Sequence, residues 1–164
     1  MSRLITATWR RSTLAREVRV LVDVDVLLDV LARRAPHYEH SAEVWAAVET
    51  GRIEGLIAAH TATTVHYLLT RHHDRQTASA GLADLLRVFG VAAVDGDVLH
   101  EALLLGWDDF EDAVQMAAAV AADATYLVTR NVADYRGGTV TVLQPGELAA
   151  LLPPPTAADN ELGG

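Results

Sequence analysis

Short apolar runs alternate with longer amphipathic stretches along most of the chain. Apolar runs of about four to eight residues are typical of buried strands, and apolar residues at helical spacing are typical of amphipathic helices. Strands are predicted at 19–24 (RVLVDV), 52–59 (RIEGLIAA), 91–94 (VAAV), 124–129 (ATYLVT) and 140–143 (VTVL). Helices are predicted at 26–31, 37–51, 60–73, 75–90, 97–106, about 109–122 and 145–152. This alternation favours a parallel sheet covered by helices on both faces.

The ends of these elements carry recognisable stop and start signals. Gly51 and Gly90 are predicted to end the helices that precede them, and Asp95 is predicted to cap the helix that follows it. The alternating pattern spans residues 19–152 as one domain. Residues 1–18 are predicted to be an Arg-rich N-terminal extension, and residues 153–164 a disordered tail.

Composition narrows the chemistry that this domain can carry. The chain has no cysteine, which excludes disulfides, thiolate nucleophiles and cysteine-based zinc sites. Its basic residues are all arginines, and the absence of lysine excludes a Walker A loop and lysine Schiff-base chemistry. The net charge of −9 argues against a protein that coats nucleic acid electrostatically. No apolar run is long enough to span a membrane, so we expect a cytoplasmic protein with no membrane association.

Carboxylates are concentrated where strands end and helices begin. Six acidic or amide side chains occupy such positions: Asp23, Asp25, Asp109, Asp112, Asn131 and Asp134. Because ligands of parallel sheets bind at the carboxyl ends of the strands, we expect these side chains to share one edge. Each acid taken alone is explained as a helix cap or a solvated charge. Together they favour a hard cation such as Mg²⁺ or Mn²⁺, because crowded carboxylates repel one another.

Two residues beside this cluster have simpler explanations. Glu111 lies between Asp109 and Asp112, but it points away from the helix face that those two share, so we expect it to be solvated. His60 begins a predicted helix and is a candidate for its cap.

Four motifs together resemble the PIN domain family: VLVDVDVLLDVL, AAHTATTVHYLLTRH, DFEDAVQMAAAVAADATYLVTRN and DYRGGTVTVLQPGEL. The resemblance covers about residues 19–150. It implies a three-layer α/β/α sandwich with a central, mainly parallel sheet and an acidic pocket that binds Mg²⁺ or Mn²⁺. It also implies endoribonuclease activity, most often that of the toxin in a VapBC-type toxin–antitoxin pair.

The resemblance assigns roles to individual residues. Asp23 matches the first aspartate of the family, Asp112 its helix aspartate, and Thr129 with Asn131 its threonine–asparagine element. The family commonly has a glutamate in the helix after the second strand, where this chain has Thr64. Asp25 stands where the family usually has asparagine or serine.

These matches predict the components of a ribonuclease. Asp23, Asp112, and Asp109 or Asp134 are predicted to hold the metal, and Thr129 and Asn131 to orient its surroundings. A further group is predicted to contact RNA phosphates: Arg130, Arg71 and Arg75. The expected partners are RNA, a cognate antitoxin and a second copy of the chain in a homodimer.

Two alternatives remain open on sequence alone. The run DVDVLLDV also resembles the first motif of haloacid-dehalogenase phosphatases, although that family uses a basic residue, usually lysine, which this chain lacks. The other alternative is a degenerate PIN fold that binds RNA or protein without catalysis, and Thr64 is the residue that suggests it.

Overall fold

The structure is a computed structural model, and it describes residues 18–155 and residue 157. Its strands are β1 (Arg19–Val22), β2 (Glu54–Ala58), β3 (Gly90–Ala92), β4 (Tyr126–Val128) and β5 (Thr141–Leu143). Its helices are α1 (Val24–Leu31), α2 (Tyr38–Glu49), α3 (Ala59–His72), α4 (Arg75–Val88), α5 (Gly96–Leu105), α6 (Phe110–Ala121) and α7 (Pro145–Leu151), with a 3₁₀ turn at Val132–Tyr135.

The five strands form one parallel sheet in the order β3-β2-β1-β4-β5. The central strand β1 pairs Leu21 with Leu56 of β2 and with Leu127 of β4. Since all strands run in one direction, their carboxyl ends lie at one edge. The order reverses on either side of β1, and this reversal places the residues after β1, β2 and β4 next to one another.

Two apolar cores lie on opposite faces of the sheet. Val20 and Val22 point into a core shared with α1, α2, α3, α4 and α7, whereas Leu21 between them points into a core shared with α5 and α6. This alternation follows from the two-residue period of a strand. Strands buried on both faces need apolar residues at successive positions, which explains why β1 reads as a continuous apolar run. The predicted three-layer α/β/α sandwich is confirmed.

The structure corrects two predicted boundaries and adds one element. The first strand ends at Val22 rather than at residue 24, because Asp23 caps α1. Gly90 does not end α4; it is the first residue of β3, where an added Cβ would lie 2.8 Å from Leu56 Cδ2. The 3₁₀ turn after β4 was not predicted.

The other signals at helix ends behave as expected. Gly51 follows the end of α2 with a φ of +75°, a conformation that glycine adopts at little cost. Asp95 caps α5 by accepting a hydrogen bond from the Val98 N–H. Among the described helices, none is long and apolar enough to cross a membrane.

The proposed division at residues 18 and 152 stays a prediction. The predicted extension, residues 1–18, lies outside the described residues except for Val18. The predicted disordered tail also lies mostly outside them, with only 153–155 and 157 described.

Candidate active site at the carboxyl edge of the sheet

Asp23 lies at the centre of the acidic edge, directly after β1, and only 8% of it is exposed. One carboxylate oxygen accepts hydrogen bonds from the Val24 N–H at 2.7 Å and from Gln115 Nε2 at 3.1 Å. The other accepts from the Thr129 hydroxyl at 2.8 Å. Burial raises the pKa of Asp23 and the Asp25 charge raises it further, whereas the bonds from Thr129 and Val24 lower it. The carboxylate is therefore fixed in orientation while its charge remains costly.

Thr129 connects Asp23 to the segment after β4. It is fully buried, and its Oγ1 also accepts a hydrogen bond from the Asn131 N–H at 3.1 Å. The Asn131 side chain donates to Asp25 Oδ2 at 3.4 Å. The chain thus places the pair Thr129 and Asn131 against the two acids that flank the start of α1.

Gln115 ties two helices to Asp23, and sequence reasoning missed it. Its side chain is 1% exposed, and Nε2 donates both to Asp23 and, at 3.3 Å, to the Thr61 hydroxyl in the first turn of α3. A glutamine inside the alanine-rich stretch of α6 is the only sequence signal that pointed to it. This contact brings the first turn of α3 and the second turn of α6 to the same point of the edge.

The remaining acids predicted to hold the metal lie at the start of α6 and in the 3₁₀ turn after β4. Asp109 caps the helix, since one of its oxygens accepts from the Glu111 N–H at 2.9 Å and the Asp112 N–H at 3.3 Å. Burial raises the pKa of Asp112 to about 6, with further contributions from the charges of Asp109, Asp23 and Asp134. Asp134 lies exposed in the 3₁₀ turn. These four carboxylates therefore share one electrostatic environment.

Tyr135 is a second residue of this edge that the sequence did not indicate. Only 3% of it is exposed, its ring packs edge-on against Trp107, and its hydroxyl has no hydrogen-bond partner within bonding geometry. Burial raises the pKa of Tyr135, and the charges of Asp23 and Asp112 raise it further. The hydroxyl therefore stays protonated, available to donate to either carboxylate or to a ligand between them.

His60 and Glu111 form the other flank of the edge. His60 does not cap α3; it is the second residue of that helix, and its Nε2 lies 3.9 Å from Glu111 Oε1. Glu111 is half exposed, but burial and the charges of Asp109 and Asp25 raise its pKa. The expectation that Glu111 is solvated agrees with its exposure, and its carboxylate also lies near His60 at the rim of the acidic cluster.

Comparison with known proteins identifies the fold family. A family model described as the PIN domain matches residues 19–133, more than two thirds of the chain. The chain belongs to the PIN domain family. The resemblance seen in the four sequence motifs is confirmed. No curated protein matches the chain.

Solved structures share this fold at low sequence identity. VapBC2 from Rickettsia felis, bound to a promoter DNA fragment, has a TM-score of 0.62 and 13% identity, covering 77% of this chain and 98% of that chain. DNA-bound VapBC from Salmonella typhimurium has a TM-score of 0.63 and 12% identity, covering 78% and 98%. The Mycobacterium tuberculosis VapC20, a toxin that cleaves the sarcin–ricin loop, has a TM-score of 0.55 and 19% identity, covering 66% and 86%. This PIN domain is similar to them in fold.

Two of the arginines predicted to contact RNA lie away from the acidic edge. Arg71 is in the last turn of α3 and Arg75 begins α4, both exposed. Arg71 comes eleven residues after His60, which corresponds to roughly 16 Å along the helix. Thr64, by contrast, is one turn after His60 on the same face, and its hydroxyl contacts the His60 carbonyl at 3.4 Å.

Arg130 is at the edge, but carboxylates already surround it. Its Nη2 lies 3.5 Å from Asp25 Oδ1, and its Nε lies 3.5 Å from Oδ2 of Asp29, which is fully buried. Ser41 donates a hydrogen bond to the same Asp29 oxygen at 3.0 Å. The guanidinium thus neutralises a buried charge that no motif singled out.

The donor set of this PIN domain fits a divalent cation. No three carboxylate or imidazole groups converge on one point within residues 18–155. Mg²⁺ requires no such cage, because it keeps several waters and binds through one or two carboxylates. Asp23 accepts three hydrogen bonds, which leaves part of its acceptor capacity open. Within the described residues no ion pair involves Asp112, whose pKa burial raises.

The acidic edge makes the stability of the metal-free protein depend on pH. Since the pKa of Asp112 is raised from 3.8 to about 6, the folded state binds more protons than the unfolded state in this range. The stabilisation that comes from protonated Asp112 is complete below pH 3.8 and is lost as the pH rises through 6. We expect the melting temperature in EDTA to fall less over this window in Asp112→Asn than in the wild type.

The comparison of the two pH profiles isolates Asp112 from its neighbours. The raised pKa values of Asp23 and Glu111 also make the folded state less stable as the pH rises. Burial lowers the pKa of His60, which makes the folded state more stable as the pH rises. These groups are present in both proteins, so thermal melts at half-unit steps between pH 4 and pH 7 measure the difference. Parallel profiles would contradict the shift at Asp112.

Proposed function

We propose that this PIN domain is a divalent-metal-dependent endoribonuclease that acts as the toxin of a VapBC-type toxin–antitoxin pair. The observation that carries the proposal is the joining of Asp23 to the first turn of α3 and the second turn of α6 through Gln115. The effect of the Asp23 charge on the pKa of Asp112 supports a shared position of the two acids at the edge where parallel sheets bind ligands. PIN domains are generally metal-dependent nucleases, and one of the structural relatives is an RNA-cleaving toxin.

The chain supplies the parts that such a reaction requires. Asp23 and Asp112 would hold the cation, with Asp109 and Asp134 contributing to the negative field that attracts it. A bound Mg²⁺ or Mn²⁺ would polarise the scissile phosphodiester and lower the pKa of an attacking water. Thr129 fixes the Asp23 carboxylate through its hydroxyl, so that the position of this ligand does not depend on the metal.

Tyr135 and Asn131 each contribute a hydrogen-bond donor to this edge. The Tyr135 hydroxyl remains protonated and can donate to an oxygen of the substrate or of water at this edge. Asn131 orients Asp25 through its side-chain amide. Arg130 lies between Asp25 and Asp29, so the predicted contact of its guanidinium with an RNA phosphate would be made by the face that these acids leave open.

A basic antitoxin segment suits the charge of this protein. The net charge is −9, and several acids share the carboxyl edge. A segment bearing an arginine or apolar residues would cover these charges, and the VapBC relatives are toxin–antitoxin complexes. The homodimer and the cytoplasmic location predicted from the sequence belong to this proposal as well.

RNA cleavage by the purified full-length protein tests the proposal. Synthetic hairpin RNAs are incubated with Mn²⁺, with Mg²⁺ and with EDTA, and an identically purified Asp112→Asn protein serves as the control for contaminating nucleases. We expect cleavage with metal that is absent in EDTA and strongly reduced in the variant. Equal cleavage by the wild-type and Asp112→Asn proteins would mean that a contaminating nuclease causes the activity.

The binding-module alternative predicts a different result. A folded protein that cleaves no RNA and shows no thermal stabilisation by Mn²⁺ would be a PIN fold without a working metal site, because any ligand that binds only the folded state must stabilise it. The phosphatase alternative has lost its basis, since the family match assigns the DVDVLLDV run to a PIN domain.

A further inference from the structure

His60 has an environment that its present contacts do not explain. It lies in the first turn of α3, and the neighbouring Thr61 is tied to Asp23 through Gln115. Both ring nitrogens of His60 are buried from solvent and have no hydrogen-bond partner. A buried N–H without a partner is costly, so such a side chain normally has a partner or a ligand.

A carboxylate lies close to this imidazole. His60 Nε2 lies 3.9 Å from Glu111 Oε1, beyond hydrogen-bonding distance. Bonds of about 2.1 Å from a metal to nitrogen and to oxygen would bridge this separation after a small side-chain rotation. A neutral imidazole has one ring nitrogen whose lone pair is available for a ligand.

Other buried polar atoms at the same edge also have no partner. Gln115 is 1% exposed, and its Oε1 has no partner although its Nε2 donates to Asp23 and Thr61. Tyr135 is 3% exposed, and its hydroxyl also has no partner within hydrogen-bonding geometry. This hydroxyl faces the charges of Asp23 and Asp112. Three unpartnered groups around one group of acids indicate a ligand with its water shell, rather than a single packing defect.

We propose that His60, through Nε2, and Glu111 are ligands of a divalent cation at this edge. The inference rests on the metal dependence in the proposed function, but not on RNA as the substrate. An imidazole ligand favours transition ions over Mg²⁺, which prefers oxygen. The site should therefore bind Mn²⁺ more tightly than Mg²⁺, and this difference should depend on His60.

Calorimetric titration of the metal-free, full-length protein with Mn²⁺ and with Mg²⁺ tests this assignment. We expect His60→Gln and Glu111→Gln each to weaken Mn²⁺ binding by about tenfold or more. We expect His60→Gln to weaken Mg²⁺ binding less. The matched control is His66→Gln on the same helix, because His66 Nε2 contacts Ser79 Oγ at 3.3 Å. That substitution should leave both affinities unchanged.

Pulsed electron paramagnetic resonance of bound Mn²⁺ gives a readout that does not depend on the variants' stability. A nitrogen coupling in the wild-type protein, lost in His60→Gln and kept in His66→Gln, would support the assignment. Absence of that coupling, unchanged Mn²⁺ affinity in His60→Gln, or no Mn²⁺ binding by the wild type would each overturn it.

RNA cleavage measured on the same samples separates the two proposals. Metal-dependent cleavage with no effect of His60→Gln on metal affinity would overturn the ligand assignment and support the nuclease. His60-dependent Mn²⁺ binding without any cleavage would overturn the nuclease and support the ligand assignment.

Discussion

Replacing Asp112 with asparagine is expected to lower metal-dependent RNA cleavage by about 100-fold or more. A metal ligand contributes several kcal/mol of charge stabilisation in the transition state, and each 1.4 kcal/mol changes the rate about tenfold. Asparagine keeps the size of the side chain but removes the charge. Single-turnover cleavage at saturating Mn²⁺ measures the effect on the chemical step separately from RNA binding.

The same substitution should not destabilise the metal-free protein near neutral pH. The pKa of Asp112 is raised to about 6, which means that its charge opposes folding above that pH. Thermal melts at pH 7.5 in EDTA should therefore show the variant at least as stable as the wild type, while Mn²⁺ should stabilise the wild type more. A variant that loses activity and also unfolds at lower temperature in EDTA would indicate a structural role for Asp112 instead.

Replacing Arg130 with glutamine is expected to destabilise the protein by about 3 kcal/mol. Asp29 is fully buried, and the guanidinium of Arg130 lies within ion-pair distance of it. The same guanidinium also contacts Asp25. Removing one partner of a buried ion pair leaves an uncompensated charge and costs about 3 to 5 kcal/mol. The lower end applies here because a quarter of the Arg130 side chain is exposed. Urea denaturation at pH 7 measures the change.

Arg71→Gln is the matched control for this measurement. Arg71 is exposed on α3, so its loss should change the free energy of unfolding by less than about 0.5 kcal/mol. Adding Asp29→Asn to Arg130→Gln should recover part of the stability, because the uncompensated charge is then absent. Equal stability of Arg130→Gln and Arg71→Gln would show that solvent, and not Arg130, compensates Asp29.

The fold was predictable because its signals are local. A parallel sheet buried on both faces requires continuous apolar strands, and the helices that cover it require amphipathic spacing, so both patterns are visible in the sequence. Asp23 stood out for the same reason, as a charge at the end of an apolar strand. The error at Gly90 arose because a glycine can end a helix or permit close packing, and only the distance to Leu56 separates these explanations.

The sequence by itself determined the alternation of elements, the family and the acids that lie at one edge of the sheet. The tertiary structure decided how those acids are connected. Gln115 and Tyr135 are ordinary residues of a helix and a turn, and they become part of the edge only because packing directs them at Asp23 and Asp112.

The contacts on either side of the acidic edge also depend on the tertiary structure. His60 faces Glu111 only because α3 and α6 meet at Asp23. Arg130 compensates a buried charge only because the segment after β4 reaches Asp29 of α1. Such contacts join residues that are far apart in the chain, so no local pattern records them. Their energies depend on burial and on distances of a few ångströms, which are set only when the chain is folded.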